Sequence, residues 1–264
     1  MGYIKGKKVW ITGASSGIGE ALTYRLNELG CLLVISSRRL EALETVKTNC
    51  KHPENVTVLP LDLAAFDTHT LASQEAVDFY DGIDILVNNG GISQRSLIKD
   101  TKFEVFQKMI EVNYLGTIQL SKSLLPHFIA KKSGRFVTVT SLMGKFGSPY
   151  RSGYCGAKHA LHGFFDVLRM EHERDNINVT LVCPGFIKTR VAKNALIGNG
   201  TKQEKEDEAT ANGMSPKDCA NEIIKAIEKN KFEVYIGGKE TFGVYLKRFF
   251  PKLLHRVVLK SAVR

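Results

Sequence analysis

Tyr154-Cys155-Gly156-Ala157-Lys158 sets a phenol and an ammonium four residues apart. On a helix that spacing puts both side chains on one face, about 5–6 Å apart at Cβ. A cation beside a phenol stabilises the phenolate and lowers the tyrosine pKa. A tyrosine near its proton-transfer midpoint can serve as general acid or base at neutral pH. Most such pairs are plain neighbours on a wet helix face, so the assignment rests on what the rest of the chain brings to it.

A second chemical feature opens the chain. Val9-Trp10-Ile11 reads as a short apolar strand running into Thr12-Gly13-Ala14-Ser15-Ser16-Gly17-Ile18-Gly19. Ile18, Ala21, Leu22, Leu26 and Leu29 then recur at helical intervals, Gly30 ends the helix, and Leu32–Ser36 reads as a buried parallel strand. Strand, glycine loop, helix and strand within about 30 residues form the unit that holds a dinucleotide pyrophosphate. The glycines let backbone approach the phosphates, and the helix N-terminus supplies N–H groups and a positive dipole.

Further strands are expected at 56–63, 83–87, 135–141, 177–183 and 232–236, with helical patterns between them. Thr101-x-x-Glu104 matches a capping box and predicts the start of a long helix that carries Asn113. Asn113 is a poor mid-helix residue, because a short amide competes for backbone hydrogen bonds. Ser215-Pro216 marks another helix start, and Phe164, Phe165 and Leu168 are expected in the core. Residues 190–215 are polar and poor in aromatics and are expected to form a mobile lid or substrate loop.

Taken together, Thr12-Gly13-x-x-x-Gly17-x-Gly19 and Tyr154-x-x-x-Lys158 resemble the short-chain dehydrogenase/reductase family, from residue 5 to about 237. The region after Ser141 and Gly163-Phe164-Phe165 resembles the hydroxysteroid-dehydrogenase-like branch. The fold expected is α/β: a Rossmann-like, doubly wound, predominantly parallel seven-stranded sheet. Residues 1–238 would be the dinucleotide-binding catalytic domain, and 239–264 a basic amphipathic extension. The resemblance implies a catalytic set of Asn113, Ser141, Tyr154 and Lys158, with Asn113 kinking its helix and holding a water. It places cofactor contacts at Gly13, Ser15, Ser16, Gly17, Ile18, Gly19, Asp62, Asn89, Gly91, Tyr154, Lys158, Pro184, Gly185, Ile187 and Thr189. Asp62 would reach the adenine region, and Ile187 and Thr189 the carboxamide and phosphates. Asn88 would steady the central sheet.

The end of the second strand bears on the cofactor. An NAD enzyme of this shape usually carries Asp or Glu there. This chain has Ser36-Ser37-Arg38-Arg39, with no carboxylate before Glu41. A guanidinium suits a 2′-phosphate, so Arg38 with Ser37 is expected to select NADP(H). The expected activity is interconversion of a carbonyl and a secondary alcohol, with Met143, Phe146, Tyr150 and Phe186 forming a partly apolar pocket. A non-catalytic NADP-binding scaffold or redox sensor is the alternative. A sugar epimerase shares Tyr-x-x-x-Lys but differs in glycine spacing.

Composition narrows the setting. The chain is 43% hydrophobic and 24% charged, as in ordinary soluble proteins. No run of 18 or more apolar residues suggests a spanning helix, and the first residues lack a signal-peptide core. Five cysteines without a Cys-x-x-Cys pair point to free thiols in a reducing compartment, hence a cytoplasmic location. His159 and His162 share a helical face without a third ligand, so no metal is expected. The net charge is +10, but residues 239–264 hold seven Lys/Arg against one Glu. That is a basic tail rather than a nucleic-acid stripe. Phe242, Tyr245, Leu246, Phe249, Phe250, Leu253, Leu254, Val257 and Val258 form an amphipathic stripe there, which Pro251 restarts or kinks. Two readings stay open: the stripe packs in the core or a subunit interface, or residues 241–264 lie on an anionic membrane. The family resemblance also implies a homodimer or homotetramer.

Overall fold

The computed structural model describes residues 2–261. Its strands are β1 (Lys8–Thr12), β2 (Leu32–Ser36), β3 (Val56–Val58), β4 (Ile85–Asn88), β5 (Gly134–Val139), β6 (Ile177–Pro184) and β7 (Glu233–Ile236). They form one seven-stranded sheet in the order β3-β2-β1-β4-β5-β6-β7. Every adjacent pair is parallel, so the sheet is wholly rather than predominantly parallel. The order reverses between β1 and β4, which opens a crevice at their carboxyl ends. This is a single-domain, Rossmann-like α/β fold.

The helices are α1 (Gly17–Glu28), α2 (Leu40–Thr48), α3 (His69–Asp78), α4 (Phe103–Ile110), α5 (Gly116–Lys131), α6 (Ser152–Glu171), α7 (Glu208–Ala211), α8 (Pro216–Glu228), α9 (Gly243–Phe249) and α10 (Pro251–Lys260). Strand alternation divides the core. Val9 and Ile11 of β1 join Leu22, Leu26 and Ile223 on the α1–α8 side. Trp10 turns to the other face with Leu86, Leu124, Phe136 and Phe165. Phe128, Phe136 and Phe165 form a chain of aromatic contacts, with centroids 5.0 and 6.2 Å apart, that fastens α5 and α6 to β5.

Three local expectations change. Strand β3 ends at Val58 rather than continuing to 63. The chain still follows β2, with Leu59 N–H donating to the Ile35 carbonyl and Leu61 N–H to the Ser37 carbonyl, but Pro60 between them has no donor. Thr101 does not cap α4. Lys102 stands at the N-cap, and the Thr101 hydroxyl donates to the Leu97 carbonyl at 2.6 Å. The expected long helix is interrupted by a π-helical turn, Glu111–Leu115, between α4 and α5. Residues 190–215 are tied by backbone bonds to the segment after β4, and Val191, Ala209 and Thr210 line a cavity, as a substrate loop would. Leu196 N–H donates to the Ser93 carbonyl, and Arg95 N–H donates back to Leu196, each at 2.8 Å.

At the C-terminal end, Phe250 breaks the helix and Pro251 begins α10. Leu254 is buried against Leu142, Phe146 and Cys183, a third apolar cluster. No helix among the described residues is long and apolar enough to cross a membrane.

Candidate active site

The glycine loop joins β1 to α1 and interlocks with the end of β4. Gly13 has φ +65, and a Cβ there would lie 2.7 Å from the Gly90 Cα. A Cβ on Gly19 would sit 2.4 Å from the Gly13 carbonyl oxygen. Asn89 Nδ2 donates to the Thr12 and Gly13 carbonyls at 3.0 and 3.2 Å. The Thr12 hydroxyl oxygen accepts from the N–H groups of Asn89 and Gly90. Ser16, the N-cap of α1, makes no side-chain capping bond, so the first N–H groups of the helix, Ile18 among them, are not capped by it. Thr189 packs its Cγ2 against Gly17. This cradle, lined by backbone and open at a helix N-terminus, fits a dinucleotide pyrophosphate.

At the end of β2, Ser36 is buried and accepts from Trp10 Nε1 at 2.9 Å. Arg38 is exposed. Arg39 turns back to the loop, where its Nη2 donates to Ser15 Oγ at 3.3 Å, and its N–H donates to Ser37 Oγ. The sequence reading singled out only Arg38. The donor set here is cationic and hydroxylic, as a 2′-phosphate requires. Asp62 lies in the turn beyond β3, where its carboxylate accepts from the Ala64 N–H at 3.0 Å.

The π-turn places Asn113. Its Nδ2 donates to the Ile92 carbonyl at 3.0 Å and its Oδ1 accepts from the Ile92 N–H at 2.9 Å. The side chain thereby replaces a strand partner for the segment after β4, a gain that outweighs its poor helix propensity. A Cβ on Gly91 would lie 2.5 Å from Asn113 Oδ1 and 3.7 Å from Lys158 Nζ, so these two polar groups flank one glycine. Asn88 is buried, and its amide bonds Ser121 of α5 and Thr138 of β5.

Ser141 lies two residues beyond β5 and caps a short 3₁₀ turn, its Oγ accepting from the Met143 N–H at 3.1 Å and donating to the Pro184 carbonyl. Tyr154 and Lys158 share a face of α6. Lys158 Nζ is 5.8 Å from the Tyr154 ring centroid and donates to the Val139 carbonyl at 2.9 Å. Burial pushes its pKa down to about 8. Tyr154 is held above its ordinary value by burial, against which a hydrogen bond with Ser141 and the charges of Arg95 and Arg151 pull downward. The sequence reading expected Lys158 to lower this pKa; the groups that pull it down are instead Ser141, Arg95 and Arg151, and burial outweighs them.

Arg95 and Arg151 meet at Asp207. Asp207 Oδ2 accepts from Arg95 Nη2 at 2.6 Å and from Arg151 Nη2 at 3.2 Å, with all three side chains buried. Burial works to raise the Asp207 carboxyl, but Arg95, with help from Gln203 and Arg151, holds the group below its usual range. The pair of cations shares one carboxylate, which leaves the clasp cationic beside Tyr154. This clasp also ties 190–215 to the body of the domain. Asp207 sits within a run of charged residues, and the meeting of three distant side chains leaves no local pattern.

Ser141 and Tyr154 open on one cavity of about 400 Å³, lined also by Arg95, Met143, Phe146 and Phe186. Tyr150 does not line it and borders a smaller cavity with Leu97, Ile98 and Pro149. Pro184, Gly185 and Ile187 pass along the wall of the larger cavity, with Ile187 itself buried in the α1–α8 core. Glu240 Oε1 accepts from the Phe186 N–H at 3.2 Å.

The two histidines of α6 part company. His159 Nδ1 bonds the Cys155 carbonyl, whereas His162 lies between Cys183 and Glu233. Ligand atoms of the latter three fall within 4.8 Å of one another. The imidazole, however, turns one nitrogen to each neighbour, and Lys145 Nζ occupies Glu233 at 2.9 Å. The group ties the loop after Ser141 to β7 instead of converging on one point.

Comparison with known proteins agrees with this fold. Residues 7–199 match the model of the short chain dehydrogenases. Dehydrogenase/reductase SDR family member 7 of Homo sapiens is 42% identical over 250 residues, 92% of this chain and 74% of the human protein. The SDR family protein 7-like of Anopheles gambiae is 40% identical over 269 residues, 98% of this chain and 84% of that protein. Among solved structures, a short-chain dehydrogenase from Streptomyces avermitilis superimposes with a TM-score of 0.80 at 24% identity, covering 96% of this chain and 97% of that one. An alcohol dehydrogenase from Thermococcus sibiricus complexed with 5-hydroxy-NADP gives 0.74 at 23% identity, over 88% and 97% of the two chains. With this fold, this loop and these relatives, the chain belongs to the short-chain dehydrogenase/reductase family.

Proposed function

We propose that the protein is an NADP(H)-dependent oxidoreductase that interconverts a carbonyl and a secondary alcohol on a partly hydrophobic substrate. The observation that carries this is the opening of Ser141 and Tyr154 onto a single, largely apolar cavity. The glycine cradle and the Arg38–Arg39 end of β2 support the choice of cofactor. When bound, NADP(H) supplies or accepts the hydride.

The chain's own residues handle the rest. Ser141 Oγ donates to the substrate oxygen, polarises it and fixes its distance from Tyr154. In reduction the Tyr154 hydroxyl gives its proton to that oxygen as the alcohol forms, and in oxidation it takes the proton back. Lys158 and Asn113, which flank Gly91, hold the ribose side of the site and continue the proton path away from Tyr154. Arg38, with Ser37 and Arg39, holds the 2′-phosphate. Gly13, Gly17 and Gly19 with Ser15, Ser16 and Ile18 hold the pyrophosphate. Pro184, Gly185, Ile187 and Thr189 cover the nicotinamide end, while Asn89, Gly91 and Asp62 border the adenosine and ribose. Met143, Phe146 and Phe186 select an apolar body on the substrate.

Tyr154→Phe tests the assignment. NADPH oxidation with a panel of hydrophobic ketones and aldehydes is expected to fall about 10²–10⁴-fold. NADPH affinity, read by fluorescence, is expected to stay within about threefold of the parent. Turnover above about a tenth of the parent would remove Tyr154 from its role.

A further inference from the structure

We infer that the α9–α10 pair seats the protein on an anionic lipid surface, with the apolar cavity beneath it fed from the lipid. On α9 and the turn before it, Phe242, Tyr245 and Phe249 recur at helical spacing, and Phe250 at the N-cap of α10 is followed at helical spacing by Leu253 and Val257. All six are exposed, Phe249 at 69% and Phe250 at 63% of their full areas. Two consecutive helices thus turn an aromatic face to solvent, which an isolated soluble domain rarely does.

The charge around that face selects its occupant. Lys247, Arg248, Lys252, Arg256 and Lys260 are exposed, and among the described residues none has a carboxylate partner. Glu240 is the only acidic residue in 239–264, against seven Lys/Arg. A second copy would set this cationic rim against its equal, whereas anionic headgroups complement it. Residues Pro251–Lys260 make a helix of about 15 Å, too short to span a bilayer and suited to lying in its interface.

The inner side of the same helices faces the cavity. Leu246, Leu254 and Val258 line it together with Phe242 and Val257 from the outer stripe. The anchor is therefore also the roof, so a lipid-dissolved carbonyl compound meets apolar side chains on its way to Ser141 and Tyr154. This supply route rests on the proposed oxidoreductase activity, whereas the docking does not.

The test uses the whole chain with vesicles of phosphatidylcholine alone and of phosphatidylcholine with about 30% phosphatidylserine, read by flotation. Binding is expected on the anionic vesicles and to weaken with salt. Phe249→Ser with Leu253→Ser, neither in the cavity wall, should lower partitioning on the order of 100-fold. Lys247→Glu with Lys252→Glu should erase the preference for phosphatidylserine while melting temperature holds. No binding to either vesicle, or equal binding by parent and both variants, overturns the inference. So does a dimer that dissociates in the Phe249→Ser, Leu253→Ser protein while vesicle binding is unchanged, since the face then belongs to a second copy. Activity on a water-soluble ketone is measured in parallel. Docking without that activity would leave the anchor standing and remove the oxidoreductase reading.

Discussion

Replacing Lys158 by Met removes a buried charge while keeping most of the apolar stem. The ammonium sits on a residue only 5% exposed, donates to the Val139 carbonyl at 2.9 Å, and has no carboxylate partner among the described residues. Burial lowers its pKa from 10.5 to about 8. Below pH 8 both folded and unfolded lysines are protonated, and the folded protein bears the full desolvation cost. At about 1.4 kcal/mol per unit that cost is about 3 kcal/mol. Between about pH 8 and pH 10.5 the unfolded chain binds the proton that the folded one has released, so stability rises with pH across this window. Lys158→Met escapes the cost but strips the Val139 carbonyl of a donor, worth about 1–3 kcal/mol. Near pH 7 the two proteins should therefore be close in stability, with the variant equal or slightly ahead, and the variant inactive. Raising the pH from about 7 to about 9.5 should stabilise the parent relative to the variant by about 2 kcal/mol, a relative gain of about 4–8 °C in melting temperature. Cofactor-free thermal denaturation at both pH values checks this, and comparing the pair subtracts the titration of other groups. A stability gap that does not move with pH would refute the desolvated ammonium.

Arg38→Ala should weaken NADPH binding about 10- to 100-fold and leave NADH binding nearly unchanged, read by fluorescence titration, and an equal loss for both would discard its role in selection. Arg95→Met should raise the pKa of Tyr154, since Arg95 helps to lower it. Alcohol oxidation needs the deprotonated phenol, so its kcat/KM profile should shift to higher pH, and an unmoved or acid-shifted profile would contradict the proposed electrostatics. Ser215→Ala should cost about 1 kcal/mol in urea denaturation, because Ser215 Oγ accepts from the Asp218 N–H at the start of α8. A change within error would mean the cap carries no weight.

The elements were legible wherever one local rule dominated. Strand β4 is buried along its whole length, as a parallel strand covered on both faces must be, and its apolar run announces it. Ser215-Pro216 announces α8 because the N-cap hydroxyl and the fixed proline φ act within three residues. Where a distant partner decides the outcome, the local rule fails. Thr101 bonds Leu97 rather than capping, because the preceding 3₁₀ turn offers a carbonyl first. Asn113 was legible as an oddity, but its bonds to Ile92 come from another segment. The ties of the 190–215 segment were not legible because they reach distant residues: Asp207 meets Arg95 and Arg151, 112 and 56 positions away, and Leu196 pairs with Ser93 and Arg95. An arginine three residues before Tyr154 was the one available hint, since that spacing keeps Arg151 on the tyrosine's side of α6.

The tail shows why a stripe of apolar residues can answer two demands. Residues 242–258 pose a choice between core and surface, and the structure divides them. Leu254 is buried and Leu246 and Val258 partly so, while Phe249, Phe250 and Leu253 remain exposed. Apolar residues so dense cannot all face one groove, because successive helical positions turn by about 100°. The inner ones cover Leu142 and Phe146, on the loop that begins at Ser141. Lys145 of the same loop is held to β7 through Glu233, whose carboxyl burial tends to raise but hydrogen bonds from His162, Tyr235 and Lys145 bring down to about 2. Ser141 is thus positioned from one side by an ionic tie to the sheet edge and from the other by the roof helices. The outer and inner faces of α9–α10 thus meet different surroundings, and the inner face packs directly on the turn that Ser141 caps.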